Sequence, residues 1–191
     1  MTGATVTETS IPGLLVVESP VLRDRRGWFK ESYHRAKLEP LGLPPLDVVQ
    51  HNVSYNEEVA VTRGIHAEPW EKYVSMALGR VFSAIVDLRA GPGFGRVETI
   101  ELTTGRSVFV PRGCGNSFCT LEPNTVYTYL VNEHWQPGLA YPAVDLFDAD
   151  LAIDWPFPHE QMIISEKDRG NPPLSALTPV GAGPGGRPPV D

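Results

Sequence analysis

Long hydrophobic runs are missing from this sequence. Nothing approaches the roughly 18 consecutive apolar residues of a membrane helix, so no span and no membrane partner are expected. Nor is a secretory leader expected. The opening MTGATVTETS is polar, without a basic start or an apolar core, and the chain reads as cytoplasmic. Cysteine is scarce. Cys114 and Cys119 fall together in FVPRGCGNSFCTL, which reads as free buried thiols rather than a disulfide framework, and a CxxxxC pair alone makes no zinc site. Positive charge is outweighed: 16 Lys and Arg against 23 Asp and Glu leave a net charge of −7, which argues against nucleic-acid binding. A local cluster of Arg and Lys can still hold a diphosphate on an acidic protein. There is no internal repeat, and no GxGxxG opens a helix, so no dinucleotide cofactor is expected.

Proline and glycine are plentiful, at 19 and 18 residues, and make long helices improbable. Between them lie short apolar runs: GLLVVESPVL, DVVQHNVSY, YVSMALGRVFSAIVDL, RVETIEL, SVFVPRG and NTVYTYLVN. That spacing predicts an all-β sandwich or barrel. Gly79-Arg80 in the run from Tyr73 to Leu88 fits a hairpin, DLRAGPGFG (87–95) a loop, and HRAKLEPLG a short helix stopped by Pro40 and Gly42. A length of 191 residues suits one domain, expected over 1–174. The Pro/Gly-rich 175–191 reads as a disordered tail.

His66, in RGIHAEP, is the first residue with chemical promise. A metal site on such a scaffold gathers several His and carboxylate ligands. Here only His66 and Glu68 come together. The later segment PRGCGNSF offers Asn116 instead of a histidine, so no metal is expected. Asp168, in SEKD, is a carboxylate of the kind that fixes a histidine tautomer and raises its basicity, although spacing alone cannot pair the two. Strand alternation puts Tyr127 and Tyr129 on one face, where a phenol facing a cavity can serve as general acid. Lys72 can stabilise an oxyanion. DRRGWFKE sets Arg26, Phe29 and Glu31 around a Gly27 turn, suited to a base and a phosphate. QHNVS puts the amides of Gln50 and Asn52 on one face. Each of these also has a plain structural reading as packing or solvated surface.

In order, the chain carries DRRGWFKE, QHNVS, RGIH, a lysine soon after, VDLR, VPRGCGNSF, YTYLVN, IDWP and SEKD. This series resembles the dTDP-4-dehydrorhamnose 3,5-epimerase family from about Ile11 to Leu174. The resemblance implies a double-stranded β-helix (cupin jelly roll) with short peripheral helices, working as a metal-free and cofactor-free homodimer on a dTDP-4-keto-6-deoxy-hexose. It implies His66 as base, Asp168 as its partner, Tyr129 as acid and Lys72 near the keto oxygen. It implies substrate contacts from Arg26, Phe29, Glu31, Gln50, Asn52, Arg63 and Lys167, with Arg26 and Phe29 reaching the partner subunit's site. The chain departs from the family pattern at Asn116, where AHGF is usual, and at Trp135, where a tyrosine is usual. Both are expected to contact substrate. Ala140 stands where a glutamate is expected, and the loop from His66 to Lys72 is short.

The implied reaction is proton removal beside the C4 ketone, an enolate on O4 held by Lys72, and reprotonation by Tyr129 from the opposite face. Three other readings stay open: an epimerase acting at C3 or C5 only, a non-catalytic sugar-nucleotide binding cupin, and a metal cupin oxygenase.

Overall fold

The computed structural model describes residues 3–181. Two antiparallel sheets face each other. The six-stranded sheet runs β1 (Thr5–Glu8), β2 (Leu15–Glu18), β10 (Arg106–Val110), β7 (Lys72–Leu78), β12 (Thr125–Val131), β5 (Gln50–Asn56). The five-stranded sheet runs β13 (Ile163–Ile164), β6 (Val61–His66), β11 (Cys114–Thr120), β8 (Val81–Asp87), β9 (Val97–Leu102), with β13 parallel to β6. A separate hairpin, β3 (Leu22–Asp24) with β4 (Gly27–Phe29), stands apart. This is the expected jelly roll.

Alternation decides what each sheet buries. On β7, Val74 and Met76 point between the sheets, against Ile85, Leu102, Val108 and Phe118. Tyr73, one residue out of phase, turns to the other face and packs with Leu38, Leu43 and Phe109 under α1 (Arg35–Leu38). A third cluster covers the outside of the five-stranded sheet. There Val144, Leu146, Leu151, Trp155 and Met162 from the late, strand-poor part of the chain close over Ile65, Ala84 and Val86. With both faces covered, β8 reads as a nearly continuous apolar run (VFSAIVD), as buried strands do.

Two expectations need correction. The break at Gly79-Arg80 is real, but β7 and β8 do not pair; they enter different sheets. Gly79 has φ +80°, and a Cβ there would meet the Thr125 hydroxyl at 2.3 Å, while the Arg80 carbonyl accepts from Leu121 of the neighbouring segment. The dipeptide is therefore a corner between layers. Residues 175–181, expected in the tail, also belong to the packed structure. Leu177 and Val180 pack on the outer cluster, and Val180 bridges to Arg89. Residues 182–191 lie outside the described residues. The loop at 87–95 and the helix at 35–38, extended by a 3-10 turn to Leu41 and ended at Gly42, are found where expected.

Candidate active site

A cleft of about 540 Å³ opens between the two sheets. One wall is β6, whose last residue is His66. His66 and Arg63 are three apart, an odd spacing that sends side chains to opposite faces of a regular strand. Here both line the cleft. The reason is a bulge: Asn116 pairs with His66 and Phe118 with Arg63, so β6 spends one residue more than β11 over the same stretch. Gly64 sits in that bulge with φ +124°, and a Cβ there would meet Ser117 Cβ at 2.5 Å and the Asn116 carbonyl oxygen at 2.8 Å. Only glycine fits, which is the structural content of the RGIH motif.

Asp168 comes from α2 (Glu166–Arg169), a single turn capped by Ser165, whose hydroxyl accepts from the Asp168 N–H at 3.1 Å. Its carboxylate meets His66 Nε2 at 2.7 Å, and the other oxygen accepts from the Gly64 N–H at 3.2 Å. Burial alone would push this carboxyl up. The hydrogen bond and charge of His66 outweigh it, helped by Gly64 and Ser165, and hold the acid below the usual carboxylate range. A carboxylate at Nε2 takes that ring N–H and leaves Nδ1 as the basic nitrogen.

The opposite wall belongs to the six-stranded sheet. Lys72 on β7 and Tyr129 on β12 both line the cleft, with the ammonium 5.8 Å from the phenol ring centroid. Burial, then the charges of Glu68 and Tyr141, raise the Tyr129 phenol above its ordinary value, with Arg63 opposing, so it stays protonated. Next to it Tyr127 stacks on Phe118 at 4.2 Å and donates to Asn116 Oδ1 at 3.2 Å. Gln50 and Asn52 share the inward face of β5, joined by a 2.7 Å hydrogen bond, and the Trp135 N–H donates to Gln50 at 3.1 Å.

The structure thus gathers His66, Asp168, Tyr129, Lys72, Gln50, Asn52, Arg63, Asn116, Trp135 and Lys167 around one cleft. It does not bring Arg26, Phe29 or Glu31 there. Arg26 pairs with Asp24 in the exposed β3–β4 hairpin, Phe29 is 64% exposed, and Glu31 pairs with Lys37. Among the cleft residues not foreseen as substrate contacts, Tyr141, Trp70 and Glu68 are polar groups close to the paired histidine and Lys72. Tyr141 sets its ring edge-on to His66 at 5.8 Å and accepts from Lys167 at 3.2 Å. Trp70 is buried at the cleft with an indole N–H that has no partner among the described residues. Glu68, weighed only as a metal ligand beside His66, turns to Lys72 instead. No local period marks Tyr141, which reaches His66 from a distant loop. The remaining clue was the density of functional side chains in HAEPWEK. Among the described residues no three His, Cys, Asp or Glu side chains gather as metal ligands.

Residues 8–176 match the family model for dTDP-4-dehydrorhamnose 3,5-epimerase. A protein RmlC homolog from Streptococcus pyogenes is 41% identical over 180 residues, 89% of each chain. A dTDP-4-dehydrorhamnose 3,5-epimerase from Pseudomonas aeruginosa is 34% identical over 169 residues, 85% of this chain and 92% of that one. RmlC from Streptococcus suis, solved in complex with dTDP-D-xylose, superposes with a TM-score of 0.90 at 38% identity, covering 95% of this chain and 96% of that one.

Proposed function

The chain belongs to the dTDP-4-dehydrorhamnose 3,5-epimerase family, and on that premise we propose that it inverts C3 and C5 of a dTDP-4-keto-6-deoxy-hexose. One observation carries the reading: the paired base and the protonated phenol stand on opposite walls of one cleft. Inversion needs a proton removed from one face of a sugar ring and returned to the other. His66, oriented by Asp168 at 2.7 Å, takes the proton that the C4 ketone acidifies. Lys72 supports the charge that moves onto O4. Tyr129, kept protonated, delivers a proton from the facing sheet, and a second round at the other carbon completes the reaction. Gln50, Asn52, Arg63, Asn116, Trp135 and Lys167 hold the rest of the nucleotide sugar.

We read the working enzyme as a homodimer. Its support is the β3–β4 hairpin, whose residues do not line the cleft of their own chain and which leaves Leu22, Trp28 and Phe29 exposed at 48%, 37% and 64%. A two-stranded ribbon that exposes large apolar side chains fits a partner's site. Arg26, Phe29 and Glu31 would then complete the cleft of the other subunit. The free thiols Cys114 and Cys119 suit a reducing compartment, and we assign the enzyme to the cytoplasm. We treat the chain up to Gly181 as one catalytic domain.

Incubation with dTDP-4-keto-6-deoxyglucose in deuterated water tests the reading. The expected product carries solvent deuterium at both C3 and C5, read by mass and NMR. Deuterium at one carbon only would reassign the chain as a single-centre epimerase, and none at either would leave a binding protein.

A further inference from the structure

Glu68 sits on the turn that joins β6 to β7, two residues past His66 and four before Lys72. Its side chain folds back into the cleft and pairs with the Lys72 ammonium. Both are nearly closed to solvent, at 12% exposure for Glu68 and 5% for Lys72. This is not the exposed kind of ion pair that contributes little. Among the described residues, Glu68 is the one acid within ion-pair distance of Lys72.

We propose that Glu68 is a positioning residue for the epimerisation: it holds the Lys72 side chain aimed into the cleft, so that the enolate on O4 meets a donor already in place. The inference rests on the epimerase reading above. A buried ammonium is costly without a carboxylate beside it, and the contact with Glu68 offsets that cost while fixing where the ammonium sits. The same carboxylate helps keep the Tyr129 phenol protonated, so one side chain serves both groups that receive the reaction's charge and supply its proton.

The other charged or titratable groups facing this space are Arg63 and His66 from β6, Tyr127 and Tyr129 from β12, Tyr141 from its loop, and Lys167 and Asp168 from α2. Asp168 is engaged by His66. Glu71, beside Lys72 in sequence, accepts from Asn132. None of these replaces Glu68 as the counter-charge.

Glu68→Gln keeps the shape and removes the charge. Two measurements on the full chain read it. The first follows the Lys72 side chain by NMR on lysine-labelled protein, assigned with Lys72→Arg. In Glu68→Gln the Lys72 side-chain signals should move as the ion pair is lost. The second separates kcat from substrate binding. kcat should fall about tenfold, with dTDP binding and Tm close to wild type, and Glu68→Asp should keep part of the rate. Unmoved Lys72 signals overturn the proposal. So does an unchanged or faster kcat, which would mean that the carboxylate only opposes the enolate. A wild type that exchanges no substrate protons overturns the epimerase reading itself, and the role given to Glu68 falls with it. Exchange by the wild type with an insensitive Glu68→Gln overturns Glu68 alone.

Discussion

Asp168→Asn should cripple the enzyme while leaving it folded. The carboxylate holds two donors at once, His66 Nε2 at 2.7 Å and the Gly64 N–H at 3.2 Å. Asparagine can satisfy only one of them. If its oxygen keeps Gly64, its NH2 faces Nε2 and forces the proton onto Nδ1, the nitrogen that must be free to act as base. If it flips, two donors meet at Gly64. The imidazolium formed during turnover also loses its anion. A hydrogen bond to a charged group is worth about 1.5–3 kcal/mol, and two charges centred about 4 Å apart attract by about 4 kcal/mol near a protein surface. Together these predict kcat lower by about 10²–10⁴-fold. The stability loss should be smaller, about 1–3 kcal/mol at neutral pH. Its pH dependence has a definite sign. The folded-state acid is held below its ordinary value, so its contribution is present above the unfolded-state value of about 3.9 and is lost as pH falls through the folded one. Wild type and variant should therefore begin to converge in denaturation midpoint below about pH 4 and meet only below the folded-state value. The assay is product formation by NMR, with urea denaturation alongside. A variant within tenfold of wild-type kcat would refute the reasoning.

Gly64→Ala should destabilise the chain by about 2–4 kcal/mol, because it combines a positive φ with a collision against β11; a denaturation midpoint within error of wild type would contradict the bulge argument. Activity should survive prolonged chelation, checked by metal analysis and rate on the same sample, and loss of rate restored by one metal would overturn the acid–base scheme. Sedimentation should give a dimer, and Phe29→Ala with Arg26→Ala should weaken substrate binding without moving His66; a fully active monomer would count against shared sites.

The strands were legible because two-residue alternation and turn residues are local signals. NTVYTYLVN and QHNVS state their inward faces directly, and Tyr129, Gln50 and Asn52 lie where that alternation puts them. Sheet membership was not legible. Gly79-Arg80 looks like a hairpin turn, and only long-range packing against Thr125 makes it a corner. The bulge at Gly64 is hidden for the same reason. Counting along RGIH puts Arg63 and His66 on opposite faces, and the extra residue becomes visible only against β11. The His66 and Asp168 pair joins residues 102 apart in sequence, so no spacing could announce it; the order of motifs did. Glu68 was weighed only as a metal ligand and set aside, since a carboxylate two residues from a histidine suggests a shared ligand. Its true partner lies on the next strand. Leu177 and Val180 lie in a stretch whose composition suggests disorder, yet both pack on the outer cluster.

The central claim is that the base and the acid act from opposite walls of the cleft. Solvent exchange by Tyr129→Phe in deuterated water tests it most directly, with His66→Ala as its counterpart. Tyr129→Phe should epimerise slowly, yet place deuterium at C3 or C5 of the recovered substrate with configuration retained, because His66 can return a proton to the face it came from. His66→Ala should exchange nothing at either carbon. Near-normal inversion by Tyr129→Phe, or exchange that persists in His66→Ala, would contradict the account.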